Sequence, residues 1–265
     1  MYSPFQLAKK YIYYYFTASN GKGHGIHSPF VFDFIENVLN DTRQYPAYAL
    51  IEQQRKLLLA NTAVIEVEDF GAGSTVIKTN QRVVKAIAAS SLKPKKFSQL
   101  LFRMVQYYQP KKIIELGTSF GITASYLASA NDSATVYTCE GSKNIAAIAQ
   151  KTFQNLQLKN IHIQEGDFEQ TLSALLGRLQ TIDLAFIDGN HRKEPTIKYF
   201  LQLLQYTHPS SILIFDDIHW SKEMEEAWAQ IQQHPQVTLT IDLFFIGIVI
   251  PVSYTHLTLP TIYSV

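Results

Sequence analysis

Cysteine is almost absent: Cys139 is the single one in 265 residues. That excludes an internal disulfide and a cysteine-built metal site, and it fits a reducing compartment. No stretch approaches the roughly 18 apolar residues of a membrane-spanning helix; the apolar run Leu243 to Ile250 is strand-length and reads as a buried strand. The opening residues lack the cationic start, apolar middle and small-residue cleavage site of a signal peptide, so a cytoplasmic protein without a membrane span is expected. An excess of one charge is missing too. Lys and Arg total 23 against 22 Asp and Glu, a net charge of +1, without the basic face that neutralising several phosphates requires, so nucleic acid is not an expected partner. The one basic cluster, Lys93-Pro94-Lys95-Lys96, reads as a solvated helix boundary. There is neither an internal repeat nor a low-complexity linker. What is present is a composition 46% hydrophobic, enough for one sizeable core with an added subdomain.

Periodicity divides the chain near residue 110. Before it, the pattern predicts helices over 4–17, 29–40, 47–60, 79–91 and 97–109, with no regular alternation with strands. From Lys111 onward, strand-like runs at 111–116, 134–140, 160–165, 182–188, 210–217, 237–242 and 244–250 alternate with helical periodicity at 121–130, 142–156, 168–176, 194–206 and 221–233. Strands separated by helices of that length imply βαβ crossovers. The last two runs are joined by almost nothing and predict an antiparallel hairpin at the sheet edge. The expected class is therefore α/β: a doubly wound, seven-stranded, mostly parallel sheet over residues 97–251, its last strand antiparallel, behind an N-terminal helical extension over 1–96. Residues 252–265, Val-Ser-Tyr-Thr-His-Leu-Thr-Leu-Pro-Thr and then Ile-Tyr-Ser-Val, look like the translation of a transposase sequencing adapter. On that reading they stand outside the fold, and His256 and Tyr263 carry no function; the alternative is a natural polar C-terminal strand.

The informative stretch is Lys111 to Gly121, where an apolar run ends in Glu115 and Gly117 and Gly121 follow. A buried parallel strand turns into a helix in this way and leaves backbone N–H groups for a small ligand. Asp69-Phe-Gly-Ala-Gly-Ser74 offers a second such turn. A nucleoside site needs another strand about 20 residues on, ending in an acid that can bind both ribose hydroxyls. Glu140, followed by Gly141, meets that need after Gly117; the region after Gly71, Arg82 to Ser91, reads as a helix without an acid. Asp69 to Ser74 is therefore expected to be a connecting turn, with covering of the active site as the alternative.

Acids close five successive strand runs: Glu115, Glu140, Asp167, Asp188 and the pair Asp216 and Asp217. Each alone reads as a helix cap; together they line the strand ends where a doubly wound sheet binds ligands. Asp167 and Phe168 suit either a cap or the edge of a purine. If the fourth and fifth strands are neighbours, Asp188 and Asp216 open onto one point. Two or three carboxylates there suit Mg²⁺ or another hard divalent ion.

Glu115-Leu-Gly-Thr-Ser-Phe-Gly121, Glu140, Gly166-Asp-Phe168, Phe186-Ile-Asp-Gly-Asn-His191 and Phe215-Asp-Asp-Ile-His-Trp220 resemble class I S-adenosylmethionine-dependent methyltransferases, especially the metal-dependent small-molecule O-methyltransferases. The N-terminal part, including His24-Gly-Ile-His-Ser-Pro-Phe30, resembles that of uncharacterised bacterial members. The resemblance implies a Rossmann-like methyltransferase fold with S-adenosylmethionine as cofactor. Gly117, Ser119 and Gly121 would lie against its methionine part with Glu115 behind, Glu140 and Gly141 at the ribose, and Asp167 and Phe168 at the adenine. It further implies metal ligation by Asp188, Asp216 and Asp217. Ser119 stands where a glycine is common in the wider superfamily, and His191 where the metal-dependent enzymes often carry a lysine.

The mechanism this implies is that the ion lowers the pKa of a substrate hydroxyl, His191 beside Asp188 removes or relays the proton, and the oxyanion attacks the sulfonium methyl in line. The expected partner is a small-molecule methyl acceptor, and a homodimer is one candidate assembly. His219 and Trp220 are candidates for shaping the acceptor pocket, His24 and His27 for a turn, and the aromatic run Tyr11 to Phe16 for packing on the sheet domain. Two other readings stay open. A dehydrogenase shares the fold but would want Gly-x-Gly-x-x-Gly, a spacing that residues 117–121 do not supply. A metal-independent or non-catalytic protein would keep the nucleoside site alone.

Overall fold

A computed structural model of the protein describes residues 1–18, 28–68 and 80–251, and the backbone of 261–264. The Asp69 to Ser74 turn, His24, His27 and most of the tail lie outside the described residues. The chain forms two compact units, one of residues 37–178 and one of 1–36 with 179–265.

In the unit of residues 37–178, three strands run parallel in the order β3 (Lys112–Leu116), β4 (Thr135–Glu140), β5 (Ile161–Glu165). Ile113 to Leu116 are all buried, as a strand covered on both faces must be. α5 (Lys95–Tyr108) carries Leu100, Leu101, Met104 and Val105 on one buried stripe, the spacing of a helix that seals one side of a core. It stops at Gln109, which turns left-handed with φ 52° just before Pro110. α5 packs on α6 (Ile122–Ser129), as does α3 (Pro46–Ala60), while α7 (Lys143–Asn155) lies on β4 and β5. α8 (Phe168–Leu179) follows β5.

Two short strands depart from the expected all-helical N-terminal part. β1 (Val64–Glu66) pairs antiparallel with β2 (Gln81–Val83), so the helix expected over 79–91 begins only at Val84, as α4 (Val84–Ser91). Three-residue strands are too short to leave a period in the sequence; their pairing across residues far apart in the chain creates them. The helix expected over 29–40 is α2 (Pro29–Phe34) continued by a π-helical turn, Ile35–Leu39.

In the other unit, β6 (Leu184–Ile187) and β7 (Ile212–Asp216) are parallel, β9 (Ile246–Pro251) runs antiparallel to β7, and β8 (Val237–Asp242) antiparallel to β9. The expected hairpin is present, with β9 lying between β7 and β8. With the three strands of the first unit, β6 to β9 bring the number of strands between Lys111 and Pro251 to the seven expected, and within this unit β9 is the antiparallel one. β10 (Thr261–Ser264) pairs parallel with β8 through its backbone. α9 (Lys193–Leu204) packs on α10 (Lys222–Gln232), which begins at a serine cap, Ser221 Oγ accepting from Met224 N–H. α1 (Pro4–Thr17) opens on a capping box between Ser3 and Gln6. It buries no residue fully. Tyr11 and Tyr14 set their rings 5.1 and 5.3 Å from that of Phe244, the packing role expected of the aromatic run, while Tyr13, Tyr15 and Phe16 are exposed. Among the described residues no helix is long and apolar enough to cross a membrane.

Candidate active site

The turn after β3 is built by its backbone. Gly117 and Gly121 take φ of 102° and 79°, and Ser119, not a glycine, takes 48°. At Gly121 an added Cβ would run into the Phe153 ring, so glycine answers both the dihedral and the close approach of α7. The N–H groups expected to be left for a ligand are in large part used by the protein itself. Gly117 and Thr118 both donate to Cys139 O at 3.1 Å, Gly121 to Thr118 O at 2.9 Å, and Ser119 to Glu140 Oε2 at 2.9 Å. The turn is thereby lashed to the end of β4, because parallel register sets Leu116 opposite Cys139.

Glu140 is the pivot of this region. Its other carboxylate oxygen accepts from Ser142 N–H at 3.0 Å. Burial pushes its pKa up to about 7, against backbone donors at Ser142, Ser119 and Gly141 that pull it down. A carboxyl group already oriented by two amides, and balanced between its charge states near neutrality, is a prepared acceptor for a pair of hydroxyls. Glu115 lies behind, fully buried, with Thr138 Oγ1 donating to its Oε2 at 2.5 Å; Thr138 in turn bonds Thr118. Asp167, after Gly166 with φ 125°, accepts from Glu169 N–H at 2.9 Å through Oδ1. That is the cap role, and Phe168 opens the helix behind it, partly exposed. Cys139 is buried, and burial pushes its thiol up to about 12, which makes it inert.

In the other unit, Asp188, His191 and Asp216 each offer a ligand atom, all within 4.8 Å of one another. His191 Nε2 lies 3.5 Å from Asp188 Oδ1, and Asp216 is buried at the end of β7. Parallel pairing of β6 with β7, Ile187 opposite Phe215, brings the two strand ends together, as the sequence suggested if they were neighbours. Asp217 does not join the three. With φ 53° its backbone turns away from the strand, and its N–H donates to Phe245 O at 2.7 Å. Two carboxylates and an imidazole fit a divalent cation.

His219 is engaged elsewhere. Its Nε2 lies 2.8 Å from Asp242 Oδ2 and its Nδ1 3.2 Å from Glu225 Oε1, with the Phe244 ring stacked at 5.0 Å. Burial opposes its charge, yet hydrogen bonds to Asp242 and Glu225 outweigh that and raise its pKa. Asp242 also accepts from Trp228 Nε1 at 3.1 Å and Phe244 N–H at 2.8 Å. α1 fastens to the same cluster, Lys10 Nζ reaching Glu225 at 2.9 Å and Tyr14 OH donating to Asp242 O at 2.8 Å. Asp242 closes β8 and so continues the succession of strand-end acids one strand beyond Asp216, a signal the sequence carries. Ser91 Oγ lies 2.8 Å from Ser119 Oγ; no sequence signal marks that pair.

Residues 114–218 match a methyltransferase domain family. A catechol O-methyltransferase of Niastella koreensis is 30% identical over 145 residues, 53% of this chain and 63% of that protein. The mouse catechol O-methyltransferase domain-containing protein 1 is 28% identical over 131 residues, 48% of this chain and 49% of that one. A tRNA (guanine-N(7)-)-methyltransferase of Mycoplasma mobile is 31% identical over 107 residues, 38% and 53%. The chain thus spans between about half and just under two thirds of the curated relatives it matches. Among solved structures, an SAH-bound methyltransferase of Podospora anserina matches with a TM-score of 0.59 at 14% identity, covering 96% of this chain and 98% of its own. An O-methyltransferase of Bacillus cereus in complex with SAH matches with 0.56 at 17%, covering 79% and 92%. At such identities these two structures speak to the fold alone. Residues 114–218 are thus similar to a methyltransferase domain, about half of the chain is similar to a catechol O-methyltransferase, and the fold is shared with solved methyltransferases.

Proposed function

We propose that the protein transfers a methyl group from S-adenosylmethionine to a hydroxyl of a small molecule, assisted by a divalent cation. The observation that carries this reading is the Asp188, His191 and Asp216 group at successive strand ends, which a protein that merely binds the nucleoside would not need. Net charge of +1 favours a small acceptor over RNA.

S-adenosylmethionine supplies an electrophilic methyl group on a sulfonium. Toward it, Gly117, Ser119 and Gly121 shape the turn, Glu140 beside Gly141 accepts from the ribose hydroxyls, and Asp167 and Phe168 flank the adenine, with Glu115 buttressing the turn from behind. Asp188, Asp216 and Asp217 would hold the cation; it would supply a lowered pKa to a hydroxyl bound there. His191 takes the acceptor's proton, and Asp188, facing its Nε2, favours the imidazolium that results. A second reading has His191 as a ligand in place of Asp217, because its Nε2 belongs to the close group and Asp217 stands outside it. Residues 97–251 are proposed as the catalytic domain, 1–96 as its extension, and 252–265 as a non-native tail.

The test is release of S-adenosylhomocysteine from a panel of catechols and other hydroxyl compounds, with Mg²⁺, with Mn²⁺ and in EDTA. Turnover that EDTA abolishes is expected. Failure to bind S-adenosylmethionine sinks the reading as a whole, and full turnover of Asp188→Ala in EDTA removes the metal. Manganese titration of the His191→Ala and Asp217→Ala variants separates the two ligand sets.

A further inference from the structure

Ser119 occupies the left-handed region, φ 48°, where glycine is at ease and an L-residue is not. The same turn uses glycine at its two other positive-φ positions, 117 and 121, so a serine here points to a use for its hydroxyl. That hydroxyl lies 2.8 Å from Ser91 Oγ. Ser91 Oγ also lies 2.9 Å from Ile87 O, to which it donates. A hydroxyl has one proton; with Ser91's given to Ile87, Ser119 is the donor of the pair. Ser119 then has its N–H on Glu140 and its O–H on Ser91, and it presents only lone pairs to whatever enters the turn.

Ser91 is well placed to hold this geometry. It ends α4, whose start is tied back by Val84 N–H to Ala63 O and Lys85 N–H to Asn61 O. β1, paired with β2 just before α4, offers Glu66 O to Asn144 Nδ2 at 3.0 Å, two residues beyond Ser142. Segments 61–68 and 80–91 therefore touch the turn after β3 through Ser91 and the first turn of α7, just past the loop after β4, through Glu66, all within one compact unit.

We propose that Ser91 is a positioning residue of the cofactor site. It fixes the Ser119 hydroxyl as an acceptor, so that the turn selects a ligand group bearing N–H donors, the α-ammonium of the methionine moiety. The proposal rests on the reading of this turn as the S-adenosylmethionine site.

Calorimetric titration of the full chain with S-adenosylhomocysteine and with 5′-methylthioadenosine, which lacks the amino-acid portion, tests it. Ser91→Ala is expected to weaken S-adenosylhomocysteine roughly fivefold, the loss of one net hydrogen bond, and to leave methylthioadenosine unchanged. Ser91→Thr, which keeps the hydroxyl, restores affinity. In a Ser119→Ala background Ser91→Ala adds nothing. Deaminated S-adenosylhomocysteine, which keeps the carboxylate, is expected to bind both proteins alike. Equal losses for the two nucleosides, a loss that persists for the deaminated ligand, or a fall in unliganded Tm that Ser91→Thr does not reverse would each overturn the proposal. A wild-type protein that binds none of these ligands takes down the cofactor reading beneath it.

Discussion

Glu140→Gln exchanges one carboxylate oxygen for an amide and isolates what the charge of this group does. In the free protein burial sets its pKa at about 7. If two ribose hydroxyls donate to the ionised form, that form alone binds well. Between about pH 8 and about pH 6 the ionised fraction of a group with that pKa falls roughly tenfold, and affinity for S-adenosylhomocysteine should fall by the same factor. Glu140→Gln carries no such titration, so its profile should differ from wild type by that tenfold, whatever protons the ligand itself loses. At about pH 8 the variant should bind roughly thirty- to 150-fold more weakly, the loss of charge-assisted hydrogen bonds worth about 2–3 kcal/mol. Its new –NH₂ would also face the N–H of either Ser119 or Ser142. Calorimetry across the range is the assay, with unliganded Tm as the control for folding. Parallel profiles for the two proteins would refute the ribose role of Glu140. The sign for stability is opposite: with a raised carboxyl pKa, the contribution to folding is present below the unfolded value of 4.5 and lost as pH rises through about 7.

Other substitutions probe separate parts. Gly121→Ala adds a methyl against the Phe153 ring at a left-handed position and should cost about 2–4 kcal/mol in urea unfolding; an unchanged midpoint would mean α7 yields freely. Asp242→Ala strips the acceptor from His219, Trp228 and Phe244 N–H and should cost about 3–5 kcal/mol by the same measurement, whereas a loss below about 1 kcal/mol would show that water replaces it. Asp216→Asn should weaken Mn²⁺ binding by roughly tenfold or more in titration of the cofactor-free protein; equal affinity would rule Asp216 out as a ligand.

Much of the site was legible because its residues sit where a parallel strand ends. Period-two and period-3.6 patterns after Lys111 located those ends to within a residue or two, and each bears an acid whose type speaks for its chemistry. The three-residue strands β1 and β2 were not legible, since pairing across the chain and not local preference creates them. The roles of neighbouring groups were equally hidden. His219 and His191 are alike in sequence, yet the first is paired to two acids and to the Phe244 ring, while the second stands beside Asp188.

The sequence by itself determined the α/β class, the order of strands and helices from Lys111 to Pro251, and the succession of acids from Glu115 to Asp216, because hydrophobic period and strand-end chemistry are local properties. Only the tertiary structure decided how those acids are used. Parallel register gave the Ser119 N–H to Glu140, neighbouring strands gathered Asp188, His191 and Asp216, and a left-handed backbone set Asp217 apart. Those are contacts between residues distant in the chain, and no local pattern encodes which of two adjacent aspartates turns inward.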